Sequence, residues 1–167
     1  MFHGILGRGH ALRMPARSTD LFFAVSMLEV LGMNEAEDAA PATLTPFEWM
    51  GGETKVQARV DRFYDLMDIE PGYAELRAVH GTTLDEARQK LFWFLCGWLG
   101  GPNHYIERFG HPRLHMRHMP FAIGIRERDQ WVACMDQAMD ETGVPPDLRT
   151  RLKESFFGTA DWMRNTP

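Results

Sequence analysis

The reading of this chain turns on one stretch, Gly110-His-Pro-Arg-Leu-His-Met-Arg-His-Met-Pro-Phe121, with Glu127-Arg-Asp-Gln-Trp131 close behind it. Pro120 restricts Met119 away from helical angles, so a short helix is expected to end near His118, with that imidazole at a helix terminus beside a loop. Three readings of the histidines compete. In the first they are surface groups that only hydrogen-bond, the ordinary fate of most of the seven histidines in the chain. In the second, His111, His115 and His118, at i, i+4 and i+7, hold zinc. Along a helix those three span about 10 Å of axis at 1.5 Å per residue, too far apart to meet one ion at about 2 Å. In the third, one neutral imidazole holds a haem iron and leaves the opposite side of the metal open. The residue pattern by itself does not choose the third.

Outward from this segment the pattern is helical. Upstream, Leu84, Ala87, Leu91, Phe94, Leu95 and Trp98 share one face, with Thr83 and Glu86 spaced as a capping box and Gly100-Gly101-Pro102 as a stop. Further upstream, Val56, Val60, Phe63, Tyr64 and Met67 recur at three- and four-residue steps between Gly51-Gly52 and Pro71-Gly72. Downstream, Trp131, Val132, Met135, Ala138 and Met139 predict a helix over 127–142 that Gly143 caps. Leu148, Leu152, Phe156, Ala160 and Met163 predict another over 147–163. Tyr105 to Phe109 forms a short amphipathic piece, and the apolar run Pro120–Ile125 reads as a loop. Nothing alternates convincingly with a period of two, so the class is all-α around one core.

At 167 residues the chain has room for a single domain with a real core. Its net charge of −5 argues against a general binder of phosphate backbones, which needs a basic face. No apolar run is long enough to span a membrane. Two cysteines, Cys96 and Cys134, are too few for a disulfide framework and sit among apolar residues, which fits buried inert thiols and a cytoplasmic setting. The chain divides near residue 45. Arg8, Arg13 and Arg17 precede a mostly apolar Leu21–Leu28, but Asp20 and Glu29 bracket that stretch and no A-x-A site directly follows it, so an export signal is not expected. Residues 34–45 read as a linker, and one account makes Met33 the true start. Residues 1–45 are expected to be a poorly ordered extension and 46–167 the folded domain.

The His118 segment with Glu127-Arg-Asp-Gln-Trp131, together with Arg62-Phe-Tyr64 and Trp98-Leu-Gly-Gly-Pro102 in the same order upstream, closely resembles the group II truncated haemoglobins over about residues 46–164. The resemblance implies a shortened globin in which the helices of 54–68 and 84–99 cross those of 127–142 and 147–163, two over two, with haem b between them. It implies His118 as the iron ligand. Tyr64, Trp131 and, more loosely, His80 then line the side where a small ligand sits, with Ala87 and Leu91 on the helix facing it. Arg117 and Lys90, and more weakly Arg113, would stand near the haem propionates. His118 is expected to donate its other ring nitrogen to a backbone carbonyl.

Each residue also has a plainer reading. Tyr64 and Trp131 lie on apolar helix faces, where a large aromatic is commonly core, and Arg113 and Arg117 serve equally as solvated charges. With the resemblance, the expected function is a haem protein that binds dioxygen, and also NO or CO, at an iron with one position open. Dioxygen gains partial negative charge on binding, so Tyr64 O–H and Trp131 N–H are suited to hold it. That favours tight holding, ligand chemistry or sensing over bulk oxygen transport. A second expectation is a haem enzyme, an NO dioxygenase or a peroxidase with His80 as general base. It would need an external reductase, since the chain carries no flavin or nicotinamide fingerprint. A third is a haem-free helical interaction module.

Overall fold

Thr45 and Glu48 cap each other where the first described helix begins. The Glu48 amide donates to Thr45 Oγ1 at 3.2 Å and the Thr45 amide donates to Glu48 Oε2 at 2.9 Å. This occupies two donors at a helix start, where the first N–H groups have no intrahelical partner. The computed structural model describes residues 44–167. The expectations for a leader, a linker and an extension fall almost wholly outside these residues.

The helices are α1 (Pro46–Met50), α2 (Gly52–Ile69), α3 (Ala74–Ala78), α4 (Asp85–Trp98), α5 (His104–Phe109), α6 (Leu114–His118), α7 (Ile125–Glu141) and α8 (Pro146–Trp162), with a 3₁₀ turn at Pro71–Tyr73. No strand occurs among the described residues. The fold is all-α, as the periodicity predicts, and the run from Pro120 to Gly124 is loop. Gly51 turns the chain from α1 into α2 at φ 99°, a conformation that costs glycine little.

α2 packs on α4 and on α7, and α7 packs on α8, which gives two helices crossed over two. α2 buries Val56, Val60, Phe63, Tyr64, Leu66 and Met67. α7 buries Val132, Cys134, Met135, Ala138 and Met139, and α8 buries Leu148, Leu152 and Phe156. The stacked rings of Trp98 and Phe156, 4.8 Å apart, join the end of α4 to α8. Cys134 donates its thiol to Phe63 O at 3.3 Å across the α2–α7 crossing. Burial pushes the Cys96 thiol up to about 11 and that of Cys134 up to about 12, so both stay protonated and unreactive.

One expected detail does not form. Thr83 and Glu86 make no capping box, because α4 starts at Asp85 with the buried Leu84 in the cap position. Arg77 pulls the preceding loop away, donating to Gly81 O at 2.9 Å and Thr82 O at 3.3 Å, and Glu86 pairs with Lys90 instead.

α1 is held to the end of α4 by Phe47 N–H donating to Leu99 O at 2.9 Å. The Phe47 ring lies over Gly101, where an added Cβ would stand 2.5–2.7 Å from ring atoms. Gly101→Ala is therefore expected to destabilise the fold by about 1–3 kcal/mol, the usual cost of forcing an atom into a filled space. Denaturant unfolding checks this, and the midpoint should fall with the slope unchanged.

Candidate functional site

α6 is one turn and a half, and His118 is its last residue; Met119 after it keeps helical angles at φ −54° and ψ −32°, contrary to the expectation from Pro120, with its amide donating to His115 O at 3.1 Å. His118 Nδ1 lies 2.7 Å from Leu114 O. A carbonyl oxygen only accepts, so Nδ1 carries a proton and Nε2 is the ring atom left to face another partner. The neighbouring histidines are engaged elsewhere. His115 lies against Trp162 with ring centres 5.0 Å apart, and His111 Nδ1 accepts from the Arg113 amide at 3.2 Å. Among the described residues no group of three or more His, Cys, Asp or Glu side chains could hold a metal ion, so the zinc reading gains no support.

The second half of the site is built on α2 and α7. Tyr64 is buried, and burial raises its phenol far above its ordinary value, so it stays an O–H donor. Phe63 separates and supports two side chains. Its ring meets Tyr64 edge-on at 5.0 Å and Trp131 at 5.3 Å. Neither the Tyr64 hydroxyl nor the Trp131 indole N–H has a hydrogen-bond partner among the described residues. Tyr64 is buried and Trp131 half-buried, and both donors stay free to meet an acceptor that is not part of the chain.

His80 closes this side. Its ring meets Tyr64 edge-on at 5.9 Å, and its Nδ1 donates to Leu76 O at 2.9 Å, leaving Nε2 with its lone pair. Burial lowers its pKa, partly offset by the hydrogen bond to Leu76 O and reinforced by Arg77, which favours the neutral ring. The two histidines thus share one arrangement: each donates Nδ1–H to the carbonyl four residues back. Ala87 and Leu91 sit one turn apart on α4, half-buried against the core.

The basic residues are grouped differently. Lys90 lies 5.9 Å from the Phe109 ring centre, and Arg117 lies 6.0 Å from that of Tyr105. Those two rings touch at 5.1 Å, so α5 gathers both cations. Arg117 also donates to Pro112 O at 3.0 Å. Arg113 is exposed at the start of α6, with φ 46°, and no contact brings it to that aromatic pair.

Three supporting residues escaped the sequence reading. Arg88 on α4 donates to Asp61 O at 2.9 Å and to Asp65 Oδ1 at 2.7 Å, with its guanidinium 5.7 Å from the Tyr64 ring centre. Gln130 on α7 accepts from the Leu76 amide at 2.9 Å and so holds the segment that carries His80. Asn165 bonds the loop after His118. None belongs to a periodic pattern, and their partners lie 23 or more positions away, so the sequence carries no signal for them.

Crossed helix pairs, an imidazole ending a short helix and two unpartnered aromatic donors on α2 and α7 are the features of a globin of shortened form. Comparison with known proteins agrees. A family model described as bacterial-like globin matches residues 45–165. Group 2 truncated hemoglobin YjbI of Bacillus subtilis is 38% identical over 120 residues, covering 72% of this chain and 88% of that protein. A cold-adapted truncated hemoglobin from Pseudoalteromonas haloplanktis superposes with a TM-score of 0.72 at 44% identity, over 74% of this chain and all of the other, 100%. A group II 2-on-2 hemoglobin from Agrobacterium tumefaciens gives 0.73 at 40% identity, over 77% and 100%.

The chain belongs to the bacterial-like globins and, within them, is a group II truncated haemoglobin. As a globin it is a haem protein that binds oxygen.

Proposed function

We propose that the protein holds haem b through His118 Nε2 and retains dioxygen tightly through hydrogen bonds from Tyr64 and Trp131. The observation that carries this is the pair of donors on either side of Phe63, with no acceptor among the described residues. The donor set fits the cofactor. An imidazole held through Nδ1 by a carbonyl leaves Nε2 for iron, the Tyr64, Phe63 and Trp131 rings suit a flat macrocycle, and Lys90 and Arg117 suit its carboxylates. Attachment without a covalent link is supported by the cysteines: Cys96 and Cys134 are both buried, and no Cys-x-x-Cys-His occurs.

Haem supplies an iron that takes a small diatomic ligand, and the chain supplies the rest. Leu114 O fixes the His118 tautomer and ring plane. Tyr64 O–H and Trp131 N–H donate toward a polarised ligand, and neutral His80 adds a lone pair, not a charge. NO and CO are further ligands of the same site. A relative from Bacillus subtilis, 36% identical with a TM-score of 0.67, is described as an oxygen-avid truncated haemoglobin, in keeping with a site built to hold. The domain that does this is assigned to residues 46–167, next to the match at 45–165. A cytoplasmic setting is supported by the two free, buried thiols. No helix among the described residues is long and apolar enough to cross a membrane.

The test is a haemin titration followed by visible absorption. A Soret band should saturate at one haem per chain and shift on reduction under carbon monoxide. A chain that takes no haem would sink the proposal and leave the helical interaction module.

A further inference from the structure

We infer that Asn165 is a positioning residue for His118, acting through the backbone of the loop that follows it; the inference rests on the reading of His118 as the iron ligand. α6 is only five residues long, and its last carbonyls have no further turn to bond. Leu114 O accepts from His118 Nδ1 at 2.7 Å and His115 O from the Met119 amide at 3.1 Å. His118 O accepts from the Phe121 amide at 3.0 Å and from Asn165 Nδ2 at 3.1 Å.

The rest of the Asn165 amide goes to the same loop. Nδ2 also donates to Phe121 O at 2.8 Å, and Oδ1 accepts from the Ile123 amide at 3.0 Å. Both N–H groups and the oxygen of this side chain are thus spent on residues 118–123. Two backbone bonds reinforce it, Asn165 N–H to Ile123 O at 3.0 Å and Thr166 N–H to Ile123 O at 3.2 Å. Among the described residues no other side chain from a distant element hydrogen-bonds this loop.

The tail that presents Asn165 is itself anchored. Arg128 and Arg164 both pair with Asp161, and Trp162 lies against His115. At Gly124 an added Cβ would meet Thr166 Oγ1 and Pro167 O at 3.1 Å, so tail and loop are in close contact. The clamp therefore fixes the carbonyl end of His118, while Leu114 O fixes its ring. Without it the loop relaxes and the imidazole loses its set orientation.

The readout is the iron–histidine stretching band in the resonance Raman spectrum of the reduced, haem-loaded full chain, which reports ligand orientation rather than global stability. Asn165→Ala removes all three side-chain bonds. Asn165→Asp keeps the shape and the acceptor but turns an oxygen toward two carbonyls. Both are expected to shift or broaden the band and to release haem about ten-fold faster, the effect of losing about 1.4 kcal/mol. Gly101→Ala, which crowds the Phe47 ring and touches neither the tail nor the loop, should lower stability with the band in place. In His118→Gly rescued with imidazole, Asn165→Asp should leave the band unmoved, because the path through the His118 backbone is cut.

A wild type whose band survives His118→Gly without added imidazole, or that has none, overturns the ligand assignment and this inference with it. A wild-type band that stays put in both Asn165 variants overturns this inference alone. If neither variant takes up haem, amide exchange in the wild type decides. The Ile123 N–H should exchange at least about ten-fold slower than an open-loop amide, and exchange at the open-loop rate overturns the clamp.

Discussion

Replacing His118 by glycine strips the haem-loaded protein of its wild-type Soret band, and imidazole added to the solution restores it. This expectation follows from what surrounds the residue. His118 ends α6 with Nδ1 on Leu114 O, and the nearby imidazoles are committed elsewhere, His115 to Trp162 and His111 to the Arg113 amide. Loss of an outer partner of a metal ligand already costs about 10–100-fold in affinity, so loss of the ligand itself should lower haem affinity by more than about a hundred-fold. The fold should tolerate the change. His118 is half-buried at a helix end, where glycine costs no more than about 1 kcal/mol. Haem titration read at the Soret band and denaturant unfolding of the haem-free chain separate the two effects. A glycine variant with the wild-type spectrum would mean that another residue holds the iron.

Tyr64→Phe and Trp131→Phe should each speed dioxygen escape about ten- to a hundred-fold. Each substitution keeps an aromatic ring on Phe63 and deletes only the donor. A hydrogen bond to a charged partner contributes about 1.5–3 kcal/mol, and 1.4 kcal/mol is about one decade in rate. The donors should stay available at alkaline pH. Burial raises the Tyr64 phenol well above its ordinary value of 10.0, so the O–H persists wherever an exposed tyrosine would begin to ionise. Stopped-flow displacement of dioxygen by carbon monoxide measures the escape rates. Rates unchanged in both variants would leave Tyr64 and Trp131 as core aromatics.

The long helices were legible because their buried faces repeat. Val56, Val60, Phe63 and Met67, or Leu148, Leu152 and Phe156, bury one side of a helix and can be read without a structure. α1 and α3 have five residues each, too few to show a period. α1 did carry a signal, the Thr45 and Glu48 spacing of a capping box. α3 carried none, since Gln130 holds it from α7. In the site, the residue types came from the resemblance, but their arrangement did not. That Phe63 stands between the two donors, or that Lys90 and Arg117 meet one aromatic pair, depends on how helices cross. Asn165 was invisible for a further reason. It is a lone polar residue past the last periodic helix, and every bond its side chain makes reaches back more than forty positions.

The single ring of Phe63 also bears on how this site can change over generations. A new side chain at Tyr64 or Trp131 is felt at the other through the ring they share, so the two cannot drift as separate traits. His80 touches Tyr64 from α3's end of the site and lies outside the contacts of Phe63. A change at position 80 is therefore met by Tyr64 alone, whereas a change at Phe63 is met by both donors at once, so Phe63 should be the slowest of the four to vary among descendants of this chain.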